Sequence, residues 1–412
     1  MSNLEARDVR SNFLCLAWVG SVFAMGWSEV AAVLQPLLVF YGASNFEIGL
    51  VQGVLIATLP GMFLSPWVTR RFRYKRIYLF TANTFYLLPL GLVGILVWHG
   101  GIVGRENMVA AIVWLMLAGQ IAAGFGGLPN QEFFTACIPM RLRGRLAGVS
   151  AGLGGLLGLA AGAFAVWILE ILPKPQGYGV LLVLAWFLCQ AADSGVLFAK
   201  EPPTPVELSP RPWSAAMWKA FLADSRFLRI TLVVCLLSPL LTQLAIFSSA
   251  FAFRDLEFQP AMAGWLAVTA STARLALSPL AGWFTDRTGA RFALLLWSGL
   301  GAVGFLFLAA IPVSGTVFVA AALAAVAGSG FSGAMNALTC GIPAPEHRAG
   351  HFTLLGFCMI ATNSLIPLLC GHLLDLVSYR TGFAILGAVA TLALTLGIYL
   401  LRSLSNQAED YS

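Results

Sequence analysis

The stretch LSPLAGWFTDRTGAR, residues 277–291, ends one apolar segment of the chain and leads into a basic loop. An earlier stretch, LSPWVTRRFRYKR at residues 64–76, has the same Leu-Ser-Pro start and the same place between an apolar segment and a basic loop. The two stand 213 residues apart in a chain of 412. A repeat at about half the chain length indicates a duplicated unit.

Two further pairs of stretches repeat in the same order. GFGGLPN at 124–130 matches GFSGAMN at 330–336, and IPMRLRGRLAG at 138–148 matches IPAPEHRAG at 342–350. Their offsets, 206 and 204 residues, are close to the first one. We interpret the three ordered matches as a duplication in which both copies have the same orientation in the membrane.

The composition excludes a soluble globular protein and a disordered chain. Apolar residues make up 59% of the sequence and charged residues 10%, whereas soluble domains have about 45–50% and about 25%. The apolar runs are too long and too uniform for barrel strands, and open sheets cannot span lipid, so the runs predict helices. The fold class is therefore all-α and polytopic, with twelve transmembrane helices in two pseudo-symmetric six-helix bundles. We number the helices 1 to 12 and place them at 13–40, 46–68, 76–99, 108–129, 145–172, 178–199, 228–253, 260–283, 291–312, 315–340, 349–376 and 379–402.

The long polar stretch 200–227 predicts a cytoplasmic linker between a bundle at 1–199 and a bundle at 228–412. Nineteen of the 24 Lys and Arg residues lie on the side of the membrane that holds both termini and this linker. We call this side the basic side, and by the positive-inside rule it is cytoplasmic. We therefore expect a multi-pass protein of the cell inner (plasma) membrane with both termini in the cytoplasm. The net charge of +6 then needs no nucleic-acid partner. The opposite side carries only Arg105, Lys174, Arg254 and Arg380.

GWFTDRTGAR, residues 282–291, resembles the loop signature Gly-x-x-x-Asp-Arg-x-Gly-x-Arg of the major facilitator superfamily of secondary transporters. The resemblance covers nearly the whole chain and implies a cytoplasmic gate that forms and breaks as two bundles rock. The first-half copy departs from the signature, because Arg70 stands where the acidic residue is expected. The residues of the predicted gate are Gly282, Asp286, Arg287, Gly289 and Arg291.

Elementary chemistry gives each gate residue a role. Gly282 would let two helices approach closely, Asp286 would pair with an Arg or cap a neighbouring helix, and Gly289 would permit a tight turn. A second group of glycines lies in helix 5 and predicts close packing against a neighbour: Gly148, Gly152, Gly154, Gly158 and Gly162.

Few ionisable side chains fall inside the predicted helices, and such residues are expensive there unless they serve a function. Glu29 in helix 1 could bind a proton, and the resemblance implies that helices 1, 4, 7 and 10 line a central cavity. Arg274 in helix 8 could hold an anionic group of the solute, or pair with Glu29 in one state. Asp193 lies near the cytoplasmic end of helix 6, which favours an interfacial structural role. Neutral polar candidates for the substrate site are Ser28, Gln35, Gln120, Gln243, Asn336 and Asn363.

The sequence predicts a secondary active transporter that moves a small organic solute by alternating access, with a proton as the coupling ion. One alternative is an exporter of amphipathic or lipid-like compounds, and another is a non-transporting receptor or enzyme of the membrane. The chain has no Walker loop and no visible catalytic set, so we expect no enzymatic activity. Its seven Cys and four His show no metal-binding spacing, so we expect no metal and no cofactor. The expected partners are the solute, the proton and the lipid bilayer, and the expected state is a monomer.

Overall fold

The computed structural model describes residues 6–69, 71–72, 74–100, 103–202, 215–341 and 348–402. Within these ranges the regular structure is helical, and all twelve predicted segments form helices. Helix 2 is divided by a 3₁₀ turn at Val54–Ala57, and a short linker helix, Ala215–Ala223, precedes helix 7. The bounds, in order from helix 1, are Ala6–Phe40, Asn45–Gly53 with Thr58–Thr69, Arg76–His99, Met108–Cys137, Met140–Ile171, Gln176–Asp193 with Gly195–Phe198, Ser225–Arg254, Ala261–Thr288, Ala290–Ala310, Ser314–Gly341, Arg348–Leu376 and Tyr379–Arg402.

Eleven of these helices are long and apolar enough to cross a membrane. Helix 8 is not among the eleven, because it carries Arg274 and several hydroxyl and small side chains that lower its hydropathy. Most helices extend past their predicted ends on the basic side; helix 4, for example, continues to Cys137. In lipid, the backbone N–H and C=O groups of an α-helix bond to each other within the helix. The same hydrogen bonds can continue beyond the apolar run, so a helix need not end where its apolar residues end.

The helices group into two compact units. The first unit comprises Met1–Ala43, Val54–Pro210 and Gln259–Leu275. In it, helix 1 packs on helices 5 and 6, and helix 3 packs on helices 4 and 6. An apolar cluster lies at the basic ends of these helices, with Leu79, Phe133 and Ile138 almost fully buried. The first unit therefore includes the beginning of helix 8 together with helices of the first half.

The second unit comprises Ser44–Gly53, Arg211–Phe258 and Ala276–Ser412. Helix 7 packs on helices 11 and 12, and helix 9 packs on helices 10 and 12. These are the same pairings as in the first unit with every helix number raised by six. The internal packing thus repeats along the chain, as the duplicated sequence stretches predicted.

Helix 5 packs through only some of its glycines. A Cβ at Gly154 would lie 2.9 Å from Ala24 Cβ on helix 1, and a Cβ at Gly162 would lie 2.9 Å from the backbone nitrogen of Val268 on helix 8. A Cβ at Gly148 or Gly152 would meet no atom of the described residues within 4 Å. The prediction of close packing is correct for the middle of helix 5, but it is wrong for Gly148 and Gly152, which lie nearer the basic end.

Candidate functional site

Glu29 is almost fully buried in helix 1 of the first unit. Its exposed fraction is 1%, and neither carboxylate oxygen has a hydrogen-bond partner among the described residues. Three residues earlier, Gly26 packs so tightly on helix 6 that a Cβ there would lie 2.6 Å from Cys189 Sγ. Because positions three apart lie on neighbouring faces of a helix, Glu29 is close to the side on which helix 1 meets helix 6. A carboxylate in such a place is very costly when ionised.

Ser28 occupies a different face of helix 1, directed toward helix 5. A Cβ at Gly158 would lie 3.5 Å from Ser28 Oγ and 3.1 Å from Ser271 Oγ. Two hydroxyl groups, one from helix 1 and one from helix 8, therefore meet at the bare backbone of helix 5. The absent side chain at Gly158 makes room for both.

Arg274 follows Ser271 by one turn on helix 8 and also belongs to the first unit. Its side chain is exposed, and no salt bridge or hydrogen bond joins it to Glu29 in the described structure. A guanidinium keeps its charge at any working pH. Arg274 is thus a cation of a membrane helix whose charge is available to an anionic partner.

The neutral candidates fall into two groups. Gln243 and Asn363 turn back on their own helices, since Gln243 Nε2 donates to the Pro239 carbonyl at 3.0 Å and Asn363 Nδ2 donates to the Met359 carbonyl at 2.8 Å. Gln35 is buried, Gln120 is half-buried and Asn336 is exposed. Within the described part of the chain, the side chains of this second group make no such bond to their own helix.

The predicted gate lies at the basic end of helix 8. Gly289 has a φ of +88° and forms the turn into helix 9, in agreement with its expected role. Arg287 lies over the Trp283 ring, with 5.1 Å between the guanidinium carbon and the ring centroid. Gly282 does not make the expected close approach, because a Cβ there would meet no described atom within 4 Å. Arg291 is half-buried, and the side chain of Asp286 lies outside the described residues.

The first half supplies its own acidic groups where the loop signature lacks one. Lys75, just before helix 3, forms a salt bridge with Glu132 at the end of helix 4. Glu201, which follows helix 6, accepts hydrogen bonds at Oε2 from the backbone nitrogens of Lys75 and Arg76, at 2.6 and 3.1 Å. Glu201 thereby caps the first turn of helix 3, where a negative charge is favoured. No sequence pattern indicated this cap, since its partners lie 125 residues apart.

Burial raises the pKa of Glu201 above its ordinary value of 4.5, and this effect outweighs the opposing backbone hydrogen bonds from Arg76 and Lys75 and their positive charges. Glu201 is 8% exposed as a residue, and its Oε1 atom has no partner among the described groups. The cap is therefore sensitive to pH on the basic side of the first unit.

The serines of the two Leu-Ser-Pro stretches each form a hydrogen bond to the fourth helix of their half. Ser65 Oγ donates to the Phe125 carbonyl of helix 4 at 2.8 Å, and the Ser278 and Ser329 hydroxyls, on helices 8 and 10, lie 3.1 Å apart. In each half, the second helix is thus joined to the fourth near the glycine-rich stretch. This contact gives the repeated Leu-Ser-Pro a structural role.

The beginning of helix 2 packs on helix 11 within the second unit. Asp375 accepts hydrogen bonds from the backbone nitrogens of Asn45 and Phe46, both at 2.8 Å. Asn45 also donates to the Leu374 carbonyl and accepts from the Tyr379 hydroxyl. A carboxylate of helix 11 therefore caps the amino terminus of helix 2.

Comparison with known proteins gives a partial sequence match to one family and a likeness in fold. The sequence model of the Major Facilitator Superfamily matches residues 241–410. Among curated proteins no match was found. The expected resemblance to the major facilitator superfamily is thus confirmed by sequence for residues 241–410.

Solved structures extend the likeness to the whole chain. A bacterial homologue of the human lysosomal transporter Spinster, in an inward-facing state, shares 14% identity with a TM-score of 0.69, over 97% of this chain and 98% of that one. A mutant form of the nucleoside transporter NupG shares 12% with a TM-score of 0.72, over 94% and 99%. A D-xylose–proton symporter shares 14% with a TM-score of 0.69, over 94% and 97%. At these identities the structures establish the fold.

Proposed function

We propose that this chain, which has the fold of the major facilitator superfamily and matches its sequence over the second half, is a proton-coupled secondary active transporter of a small organic solute. It works by alternating access, with both termini on the cytoplasmic side of the inner (plasma) membrane. The distribution of Lys and Arg supports this orientation. The related fold of transporters for sugars and nucleosides supports the transport activity.

Glu29 carries the proposal of proton coupling. In the described part of the chain, Glu29 is 1% exposed and has neither a hydrogen-bond partner nor a salt bridge, so its ionised carboxylate would lose its hydration without compensation. A bound proton removes that cost. A carboxyl that is neutral when sealed and ionised when it meets water can carry a proton from one side to the other.

Arg274 carries the proposal about the solute. Its charge is fixed and has no carboxylate partner within salt-bridge distance among the described side chains. A guanidinium binds carboxylate or phosphate through paired, charge-assisted hydrogen bonds. We therefore propose a solute with an anionic group, and the hydroxyls of Ser28 and Ser271 add nearby polar contacts.

An exporter of amphipathic compounds is the second candidate. The first unit has an open apolar surface groove of about 500 Å³ between helices 3 and 6, lined in part by exposed side chains, which suits an aliphatic or aromatic group. Its lining residues include Ile95, Trp98, Val183 and Phe187. This candidate predicts that hydrophobic drugs, and not organic anions, stabilise the protein.

The experiment has two stages. A thermal-shift screen of the purified protein across organic anions, sugars and hydrophobic drugs identifies a solute. Liposomes containing the protein and an internal pH-sensitive dye then receive that solute. We expect the solute and protons to move together in these liposomes and not in empty ones. Solute movement without proton movement would overturn the coupling, and the absence of movement for every stabilising solute would overturn the transport function.

A further inference from the structure

A group of polar side chains lies between helices 3 and 6 in the first unit, apart from Glu29 and Arg274. Asn83 Nδ2 donates to Asp193 Oδ1 at 2.9 Å. One residue further along helix 3, Thr84 Oγ1 accepts from Gln190 Nε2 at 2.8 Å. Gln190 and Asp193 are three residues apart and share one face of helix 6. Asp193 is the last residue of the main segment of helix 6 and is 3% exposed, so the side chain is buried against helix 3, and its predicted interfacial structural role stays a prediction.

Two buried oxygens of this group have no donor. Asp193 Oδ2 and Gln190 Oε1 are both sealed from solvent and without a hydrogen-bond partner among the described residues. Buried polar atoms in folded proteins are almost always paired, and an unpaired charged one is the most costly case. Each of these two oxygens, on residues three apart in helix 6, would be paired by a bound donor.

Among the described residues, no cation forms a salt bridge with Asp193. Arg76, on helix 3, points its guanidinium at the Leu197 carbonyl, 3.5 Å away and one turn beyond Asp193. Residues 11–28 of helix 1, 108–131 of helix 4 and 77–98 of helix 3 contain no charged side chain.

The other titratable groups of this layer are neutral in their ordinary state. Tyr78 of helix 3 donates to the Phe125 carbonyl at 3.0 Å, and Cys189 of helix 6 donates to the Phe23 carbonyl at 3.9 Å. A third such group is the phenol of Tyr86 on helix 3. Asp193 is therefore the group in this layer that gains most from taking up a proton.

We propose that Asp193 is a second proton-binding site of this transporter, in which a proton from solvent forms an O–H bond at Oδ2. This hydroxyl then donates toward the unpaired acceptor on Gln190, while Asn83 holds the other carboxyl oxygen in place. One added proton thus pairs both orphaned oxygens and removes the buried charge. The consequence for transport rests on the proposed proton coupling, but the site itself does not require Glu29.

Infrared difference spectroscopy of the full-length protein in lipid tests the proposal without a solute. Spectra are taken across a pH series for the wild type, Asp193→Asn, Glu29→Gln and the double variant, with the exposed Glu170→Gln as the matched control. We expect Asp193→Asn to remove one carboxylic-acid carbonyl component that Glu29→Gln and Glu170→Gln retain. A spectrum unchanged by Asp193→Asn at every pH would overturn the proposal.

Two further arms keep the test decisive. If Asp193→Asn does not fold, Asn83→Leu removes the amide donor to Oδ1 and must shift the same component, and an unshifted spectrum would contradict the assignment. The pH series, recorded in choline salts, is also repeated in sodium salts. Loss of the Asp193 component in sodium would overturn the proposal, because it would show that a metal cation binds there in place of the proton. If sodium removes only the carboxylic-acid component assigned to Glu29, the proposed proton coupling is contradicted and the Asp193 site is not.

Discussion

At the scale of single residues, the membrane makes isolated charges informative because each must be neutralised, paired or used. Glu29 and Asp193 are nearly sealed carboxyls without a cationic partner in the described structure. Arg274 is an exposed cation in the same unit. The sequence identified Glu29 and Arg274 because each interrupts an apolar run. It did not reveal the burial of Asp193, which depends on how helices 3 and 6 pack.

Arg274 leads to a prediction about affinity. Hydrogen bonds to charged groups contribute about 1.5–3 kcal/mol, and about 1.4 kcal/mol corresponds to a tenfold change in Kd. Arg274→Ala should therefore weaken binding of an anionic solute by about ten- to a hundredfold, whereas Arg274→Lys, which keeps the charge, should lose less. Thermal-shift titration with the solute from the screen measures the three Kd values. Equal values in all three proteins would exclude Arg274 from the binding site.

Glu201 leads to a prediction about pH. Because burial raises its pKa above 4.5 in the folded protein, its contribution to the free energy of unfolding is largest below that ordinary value. The contribution is lost as pH rises through the raised pKa. Glu201→Gln keeps an acceptor for the helix 3 cap but does not titrate, so the wild type should lose stability relative to this variant as pH rises. Melting temperatures across a pH series check this, and parallel curves would contradict it.

At the scale of helices, contacts between bare backbones determine which substitutions the bundles tolerate. A Cβ at Gly162 would lie 2.9 Å from the Val268 backbone nitrogen, whereas one at Gly152 would meet open space. Gly162→Ala should cost about 1–3 kcal/mol, as overpacking does, and Gly152→Ala should be neutral or slightly stabilising because alanine favours helix. Comparing the melting temperatures of the two variants tests the packing of helices 5 and 8. Equal effects would contradict it.

The cap on helix 2 gives a second prediction at this scale. Asp375 accepts from two backbone nitrogens at the start of the helix, and loss of such a cap costs about 0.5–2 kcal/mol. Asp375→Ala should lower the melting temperature accordingly. Glu106→Gln, at an exposed loop position, serves as the control and should leave it unchanged. A melting temperature unaffected by Asp375→Ala would show that the cap contributes nothing.

The sequence predicted helices well because lipid requires long apolar runs. It did not predict the 3₁₀ turn at Val54–Ala57, because the apolar sequence VLIA does not distinguish a 3₁₀ turn from an α-helix. It also missed the linker helix Ala215–Ala223, which is only nine residues long. The close helix–helix approach expected at Gly282 is absent among the described residues. A glycine permits such an approach, but the sequence alone does not show whether another helix lies opposite it. The caps by Glu201 and Asp375 join residues far apart in the chain, and a single sequence does not reveal such pairs.

At the scale of the whole molecule, the duplication is visible both in the repeated sequence stretches and in the helix packing of each unit. The helix pairings of the first unit recur in the second, and the serines of both Leu-Ser-Pro stretches join the second helix of a half to the fourth. The two copies differ in chemistry, however. Glu29, Asp193 and Arg274 belong to the first unit, whereas the intact loop signature lies in the second half. We therefore expect the substitutions that abolish proton coupling to lie mainly in the first unit.

The most direct test of the account is solute uptake into liposomes under an imposed pH gradient, with Glu29→Gln compared to the wild type and to Glu170→Gln. The account predicts that Glu29→Gln abolishes pH-driven accumulation while its melting temperature stays close to that of the wild type. Glu170→Gln, which removes an exposed carboxyl, should accumulate solute like the wild type. Undiminished pH-driven accumulation by Glu29→Gln would contradict the central claim.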